Sequence, residues 1–281
     1  MTKNEIKELS CQFGEHRQLT GVVTEPLDAA PRIACVLINA GLIPRFGPFR
    51  LYTQLARRLS SEGLLTLRFD LGGIGDSGQG YVNFPLKKRT ELEIRAALDY
   101  LHERHELDGV ILGGLCSGAE DSFRYAEIDP RITGLILMDP FGFRTLGWWS
   151  RELPHQIARH SLRMLRRVLA SRRKSHSAAL INYKHMNYAE ASRILRVLVR
   201  RKVPMHFVYT GGMSNSFNHK SQFQTMFGEI DFEGLVTLNY FPEMGHTQVL
   251  EAERRLVIES IADNVIAHLR GPMSGRADSG Q

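Results

Sequence analysis

A short stretch in the middle of the chain, GGLCSGA at residues 113–119, constrains the fold more than any other part of the sequence. It follows an apolar run at residues 110–112 and precedes a segment with helical character at residues 120–128. A buried strand, a tight turn with small residues two positions before and after its apex, and then a helix form a nucleophile elbow. Glycines suit this turn because its backbone is strained and leaves no space for a Cβ atom. The stretch therefore predicts a strand–turn–helix unit that displays one reactive side chain.

Two neighbouring residues compete for the apex of this turn. With Cys116 at the apex, the flanking positions hold Gly114 and Gly118, which are both small. With Ser117 at the apex, a flanking position would hold Leu115, whose branched side chain would crowd the turn. Sterics therefore favour Cys116 as the nucleophile. The alternative is a buried structural cysteine, since free cysteines are commonly buried.

The composition predicts an ordinary globular protein without a metal or cofactor. The 281 residues are 43% hydrophobic and 23% charged, and this length accommodates one large α/β domain with an insertion. The three cysteines have neither disulfide-scaffold nor metal-site spacing. A bare GxGxxG spacing at residues 73–78 is not followed directly by a helix, which argues against dinucleotide binding. The first residues lack the apolar core of a signal peptide, so we expect a cytoplasmic protein.

Alternating strand and helix patterns predict an α/β fold with a mostly parallel sheet covered by helices on both faces. Residues 1–31 are expected to form an antiparallel hairpin at the sheet edge. Further strands are predicted at residues 33–38, 64–69, 108–112, 134–138, 203–209 and 235–241. The predicted core spans residues 1–139 and 203–270, with an inserted helical lid at residues 140–202. Residues 271–281 are expected to form a disordered tail.

Charge is distributed unevenly between the core and the insertion. Residues 151–202 contain fourteen lysines and arginines against two acidic residues, so this stretch carries +12 and the remainder carries −6. The insertion is predicted to contain an arginine-rich helix at residues 154–174 and a second helix at residues 189–201. Such a basic surface would attract an anionic partner, although charged runs are also common on solvated helix faces.

Candidate partners for Cys116 come from loops at the carboxyl ends of other strands, where open α/β sheets gather their sites. His246 follows the last strand and is the expected base. Asp139, after the strand at 134–138, is the first candidate for the acid, and Glu243 is the reserve. The alternative for Asp139 is a carboxylate that caps a helix or braces its loop. Two other acids, Asp70 and Asp76, are expected to hold the glycine-rich loop through hydrogen bonds to backbone N–H groups.

An oxyanion hole is expected beside the elbow. The loop after the strand at 33–38 would supply the backbone N–H of Leu42, and the elbow helix would supply the backbone N–H of Ser117. The alternative for the first loop is an ordinary tight connection.

Several motifs along residues 15–270 resemble those of the serine-aminopeptidase-like α/β-hydrolases, and in particular the subgroup met beside exosortase and surface-polysaccharide genes. The motifs are Asn39-Ala40-Gly41, Arg45-x-Gly47-Pro48, Arg68-Phe69-Asp70-Leu71-x-Gly73-Ile74-Gly75-Asp76-Ser77, Gly114-Leu115-Cys116-x-Gly118-Ala119 and Gly245-His246-Thr247. The resemblance implies an α/β-hydrolase fold. That family carries serine at the apex, whereas this sequence has Cys116, as dienelactone hydrolases and some carrier-protein acyltransferases do.

Three functions remain open at this point. A cysteine nucleophile favours a thioesterase or acyltransferase that forms an acyl-cysteine intermediate with acyl-CoA or acyl-carrier protein. The alternatives are a carboxylic ester or lactone hydrolase, or a non-catalytic protein that docks to an anionic partner or membrane through the basic helix with Trp148 and Trp149. Nucleic acid is not an expected partner, because no recognised binding module accompanies the charge.

Overall fold

The computed structural model describes residues 5–153 and 185–270, in which strands and helices alternate. The strands are β1 Ile6–Phe13, β2 Leu19–Pro26, β3 Ile33–Ile38, β4 Leu65–Phe69, β5 Gly109–Leu115, β6 Ile132–Met138, β7 Met205–Thr210 and β8 Val236–Phe241. The helices are α1 Leu51–Ser60, α2 Leu86–His102, α3 Ser117–Ala126, α4 at residues 146–153, α5 Tyr188–Arg200, α6 Ser221–Phe227 and α7 Glu251–Arg270.

The strands form a single eight-stranded sheet in the order β1-β2-β4-β3-β5-β6-β7-β8. The six strands from β4 to β8 in this order run parallel, and β1 and β2 form an antiparallel hairpin at one edge. This arrangement confirms the predicted α/β class and the predicted hairpin. Because the parallel strands share one direction, their carboxyl ends and the loops that leave them lie at one edge of the sheet.

Two apolar layers bury the faces of the sheet. One layer packs residues of α2, α3, α5 and α6 against the strands, and the other packs α1 and α7 against the opposite face. In β5, Val110 and Leu112 belong to the first layer while Ile111 and Leu115 belong to the second. Side chains of a strand alternate between faces, and a strand covered on both faces is apolar throughout, which explains the continuous apolar runs in the sequence.

The elbow unit is tighter than the sequence pattern predicts. Strand β5 continues to Leu115, beyond its predicted end at residue 112, and α3 begins at Ser117 instead of near residue 120. A single residue, Cys116, therefore connects the strand to the helix.

The helix predicted at residues 154–174 and the tail predicted at residues 271–281 lie outside the described residues. The division into a core and an insertion stays a prediction.

Candidate active site

Cys116 lies at the apex of a strained turn between β5 and α3. Its backbone has φ 57° and ψ −120°, an unfavourable conformation for a non-glycine residue, and its N–H donates to the carbonyl of Met138 on β6 at 2.9 Å. A Cβ atom on Gly114 would lie 2.7 Å from the backbone of Gly118, and one on Gly118 would lie 2.4 Å from the carbonyl oxygen of Asn39. These contacts explain why both flanking positions require glycine.

Ser117 is the first residue of α3 and lies beyond the apex. Its hydroxyl oxygen accepts a hydrogen bond of 2.8 Å from the backbone N–H of Gly41, in the loop that follows β3. The hydroxyl thus links the elbow to the neighbouring loop. The structure places the thiol of Cys116, and not this hydroxyl, at the turn.

Tyr52 of α1 supports the elbow, a role for which no sequence pattern provides a specific signal. Its side chain is fully buried, and its hydroxyl donates to the carbonyl of Ile38 at 3.0 Å and accepts from the N–H of Leu115 at 2.7 Å. The phenol therefore joins the carboxyl ends of β3 and β5 at the residue directly before Cys116.

His246, in the loop between β8 and α7, lies between a carboxylate and the thiol. Its Nδ1 hydrogen-bonds with Oδ2 of Asp139 at 2.8 Å, and the side chain of Cys116 lies near enough to the ring to affect its pKa. The bond to Asp139, and then the interaction with Cys116, raise the pKa of His246 from 6.5 to about 10, against the opposing effect of partial burial. The ring is therefore held as an imidazolium at neutral pH, the state that stabilises a neighbouring thiolate.

Asp139 is fixed by three hydrogen bonds at the carboxyl end of β6. Besides His246, the backbone N–H of Thr210 donates to Oδ1 at 2.7 Å and the hydroxyl of Thr210 donates to Oδ2 at 2.7 Å. Asp139 is only 1% exposed and has φ 46°, so its backbone, like that of Cys116, occupies the left-handed region. Thr210 was missed by sequence reasoning; its hydroxyl at the last position of β7, beside the strand that carries the acid, was the available signal.

Glu243 is exposed on the loop after β8. Within residues 5–153 and 185–270, no hydrogen bond or ion pair joins it to His246, whereas Asp139 contacts the ring directly. The structure thus brings together Cys116, His246 and Asp139, and leaves the reserve acid outside the cluster.

The loop after β3 contains Leu42, whose backbone N–H is expected to contribute to an oxyanion hole. The N–H of Gly41 binds Ser117, and the N–H of Ile43 binds the carbonyl of Ala40 at 3.0 Å. Between them, the N–H of Leu42 has no acceptor among the described residues. Its neighbour Gly41 is bonded to the residue that follows Cys116, and the oxyanion role expected of the Leu42 N–H stays a prediction.

A buried ion pair fixes this loop to the loop after β4. The carboxylate of Asp70, which is fully buried, accepts from the backbone N–H of Arg45 at 2.6 Å and pairs with its guanidinium. The same guanidinium pairs with Asp76 at 2.6 Å, and the N–H of Asp76 binds Asp70 at 3.1 Å. A Cβ atom on Gly75 would lie 2.3 Å from Asp70, so the glycine-rich loop wraps around a carboxylate. The predicted bonding of Asp70 to backbone N–H groups is confirmed, whereas the Asp76 carboxylate holds the loop through the guanidinium of Arg45, a contact that was not predicted.

Several basic residues near the end of the predicted insertion are already paired with the body of the protein. Arg193 pairs with Glu127, Arg196 with Glu229 at 3.6 Å, and Lys202 with Glu233. Arg201 donates to backbone carbonyl oxygens of residues 126, 129 and 132. This part of the +12 stretch therefore neutralises acidic groups of the core instead of forming a free cationic surface.

Trp148 and Trp149 differ in accessibility. Trp148 is 2% exposed and donates from Nε1 to the carbonyl of Ser214 at 2.9 Å, while Trp149 is 43% exposed. The expectation that both tryptophans contact a membrane is therefore wrong for Trp148, because its ring is packed against the loop after β7. In the part of the chain that the structure describes, no helix is long and apolar enough to cross a membrane, and no metal-binding group of acidic, histidine and cysteine side chains occurs.

No protein-family model and no curated protein sequence matches the chain. Solved structures do match. Est1E from Butyrivibrio proteoclasticus, solved with bound ferulic acid, is 15% identical with a TM-score of 0.60, over 89% of this chain and 95% of that one. A putative dienelactone hydrolase from Klebsiella pneumoniae is 14% identical with a TM-score of 0.57, over 92% and 98%. An α/β serine hydrolase without a lid from Xanthomonas campestris is 14% identical with a TM-score of 0.57, over 94% and 95%.

These neighbours agree with the fold of the mostly parallel sheet. The chain has the α/β-hydrolase fold expected from its motifs. The narrower resemblance to the exosortase-associated subgroup stays a prediction.

Proposed function

We propose that this protein hydrolyses a carboxylic ester or lactone through an acyl intermediate on Cys116. The observation that carries the proposal is that His246, hydrogen-bonded to Asp139, lies beside Cys116 at the apex of a nucleophile elbow. The names of the structural neighbours, an esterase with ferulic acid and a dienelactone hydrolase, favour ester or lactone substrates. They support this alternative better than the thioesterase or acyltransferase function that the cysteine alone suggests.

The first half-reaction begins with the thiolate–imidazolium pair. The sulfur of Cys116 attacks the carbonyl carbon of the ester, and the carbonyl π electrons move to oxygen. The resulting oxyanion would accept hydrogen bonds from the backbone N–H groups of Leu42 and Ser117. As the tetrahedral intermediate collapses, the C–O bond of the ester breaks, and His246 gives its proton to the departing alkoxide. An acyl thioester on Cys116 and a neutral imidazole remain.

The second half-reaction regenerates the enzyme. A water molecule attacks the thioester carbonyl while His246 takes one of its protons. The C–S bond then breaks, and the electron pair returns to sulfur, which gives the carboxylic acid and restores the thiolate beside the imidazolium. Asp139 holds the ring in the orientation that serves both transfers.

Steady-state hydrolysis of p-nitrophenyl acetate tests this proposal. We expect Cys116→Ala to lose about 10⁴-fold or more in kcat, as removal of a nucleophile does in triad hydrolases. The adjacent variant Ser117→Ala is the matched control and should retain much more activity. Activity that survives in Cys116→Ala and disappears in Ser117→Ala would overturn the assignment. Acetyl-CoA, assayed in parallel, distinguishes ester hydrolysis from the thioesterase alternative: a kcat/KM higher for acetyl-CoA than for the ester would favour the latter.

A further inference from the structure

Five partly exposed apolar side chains lie next to the candidate site. They come from the loop after β3 and from the loop before α7, and their relative exposures range from 45% to 63%. We call them the apolar rim: Leu42, Phe46, Phe49, Val249 and Leu250. Large apolar side chains that are grouped at a surface, and not scattered singly, mark a place where an apolar partner is bound.

Both halves of the rim are directly connected to the reacting groups. Leu42 lies in the loop that is bonded to Ser117, next to Cys116. Val249 follows His246 by three residues. One half of the rim therefore belongs to the loop that is bonded to the elbow, and the other half follows the loop that carries His246.

Arg254 of α7 holds the two halves together. Its guanidinium donates to the carbonyl oxygen of Val249 at 2.5 Å and lies 5.9 Å from the centre of the Phe49 ring. Because this contact joins loops far apart in sequence, the rim is one surface and not two separate loop tips.

The backbone keeps the rim exposed in unfavourable conformations. Phe49 has φ 47°, its neighbour Arg50 has φ 66°, and Gln248, which precedes Val249, has φ 42°. Ten non-glycine residues of the described chain have positive φ; these three flank the rim, and two others are Cys116 and Asp139. Such conformations are costly and cluster at catalytic and ligand-binding sites. An exposed phenylalanine in this conformation is not explained by packing of the core.

Other exposed apolar side chains also follow strand ends along the chain. Eleven of the sixteen exposed large apolar side chains in the described ranges follow the carboxyl ends of the parallel strands β3, β4, β6 and β8.

We infer that the substrate carries a large apolar acyl group that lies against the apolar rim while its carbonyl carbon is attacked by Cys116. This inference rests on the proposed ester hydrolysis and names the class of ester. The rim covers one side of the acyl chain of the substrate. We therefore expect each methylene of that acyl chain to gain about half the free energy of complete burial. That corresponds to about a two-fold gain in kcat/KM for each added methylene.

Chain-length dependence of hydrolysis tests the inference. p-Nitrophenyl acetate and octanoate, each assayed below the concentration at which the ester aggregates, should differ in kcat/KM by about 60-fold in favour of octanoate. In Phe49→Ser/Val249→Ser this ratio should fall at least ten-fold. Leu256→Ser is the matched control, because Leu256 is 58% exposed on α7 and outside the rim, and it should leave the ratio unchanged.

The outcomes separate the inference from the function on which it rests. Equal kcat/KM values for the two esters, with hydrolysis that still depends on Cys116, would overturn the inference and leave ester hydrolysis standing. A preference for octanoate that occurs only above its aggregation limit would also overturn it, because the rim would then contact a lipid surface and not a single acyl chain. No turnover of either ester, without an acyl adduct on Cys116, would overturn both.

Discussion

Replacing Asp139 by asparagine tests how the carboxylate controls the imidazole. In the native protein, Asp139 accepts from His246 and from both donors of Thr210, and it is the largest contributor to the raised pKa of His246. An asparagine has one acceptor oxygen for these three donors, so its NH₂ group must face at least one of them. If it faces His246, the ring must accept at Nδ1, which selects the wrong tautomer for proton transfer to the sulfur.

The magnitude follows from the charge state of the ring. A pKa of about 10 keeps His246 almost fully protonated at pH 8. If the pKa returns to the ordinary value of about 6.5, only about 3% of the ring is protonated at that pH. Together with the tautomer change, we expect Asp139→Asn to lower kcat/KM by about 10³- to 10⁴-fold.

Two assays check this expectation. Ester hydrolysis measures kcat/KM directly, and alkylation by iodoacetamide at pH 6 to 10 reports the reactivity of Cys116 without a catalytic cycle. In Asp139→Asn we expect alkylation to become slow at pH 7.5 to 8, because a ring with a pKa of about 6.5 is mostly neutral there and no longer stabilises a thiolate. Glu243→Gln is the matched control and should resemble the native protein in both assays. If Asp139→Asn stayed within about three-fold of native kcat/KM while Glu243→Gln lost most activity, the assignment of the acid would be wrong.

Three further predictions concern the surroundings of the site. Ser117→Ala removes the acceptor for the N–H of Gly41 and should lower kcat by about 10- to 100-fold while Cys116 is still acylated; a loss of acylation itself would contradict this role. Arg45→Met leaves the buried carboxylate of Asp70 without its cation and should lower the free energy of unfolding by about 3 kcal/mol, measured by urea denaturation. An unchanged urea midpoint would contradict a stabilising role of the Arg45–Asp70 ion pair. The raised pKa of His246 contributes stability that is fully present below about pH 6.5 and is lost as the pH rises towards about 10. The urea midpoints of the native protein and His246→Gln should therefore converge over that range. A difference between the midpoints that does not change with pH would contradict this linkage.

The elbow could be predicted from sequence because its requirements are local. Small residues at positions 114 and 118 are needed by backbone contacts within the turn and with the adjacent strand β3, and these contacts depend little on the rest of the fold. The places of His246 and Asp139 followed from topology, since both occupy carboxyl ends of parallel strands.

The supporting contacts could not be predicted in the same way. The bond from Gly41 to Ser117 and the pairing of Arg45 with Asp70 join loops that are distant in sequence, and no local pattern specifies which donor meets which acceptor. Thr210 was overlooked because a hydroxyl at a strand end has many ordinary uses.

The net charge of residues 151–202 does not predict which of their basic side chains are free at the protein surface. The +12 of residues 151–202 suggested a cationic face for an acyl-carrier protein or acyl-CoA. In α5 and directly after it, however, Arg193, Arg196 and Lys202 pair with acids of the core. Net charge gives no information on such pairing, because it depends on which faces pack together.

The identity of the acylated atom tests the central claim most directly. After brief mixing with p-nitrophenyl acetate and acid quenching, peptide mapping by mass spectrometry locates the acetyl group between residues 116 and 117. The account predicts an acetyl thioester on Cys116 that neutral hydroxylamine removes, and no adduct in Cys116→Ala. An acetyl group on Ser117 that resists neutral hydroxylamine, or an adduct that persists in Cys116→Ala, would contradict it.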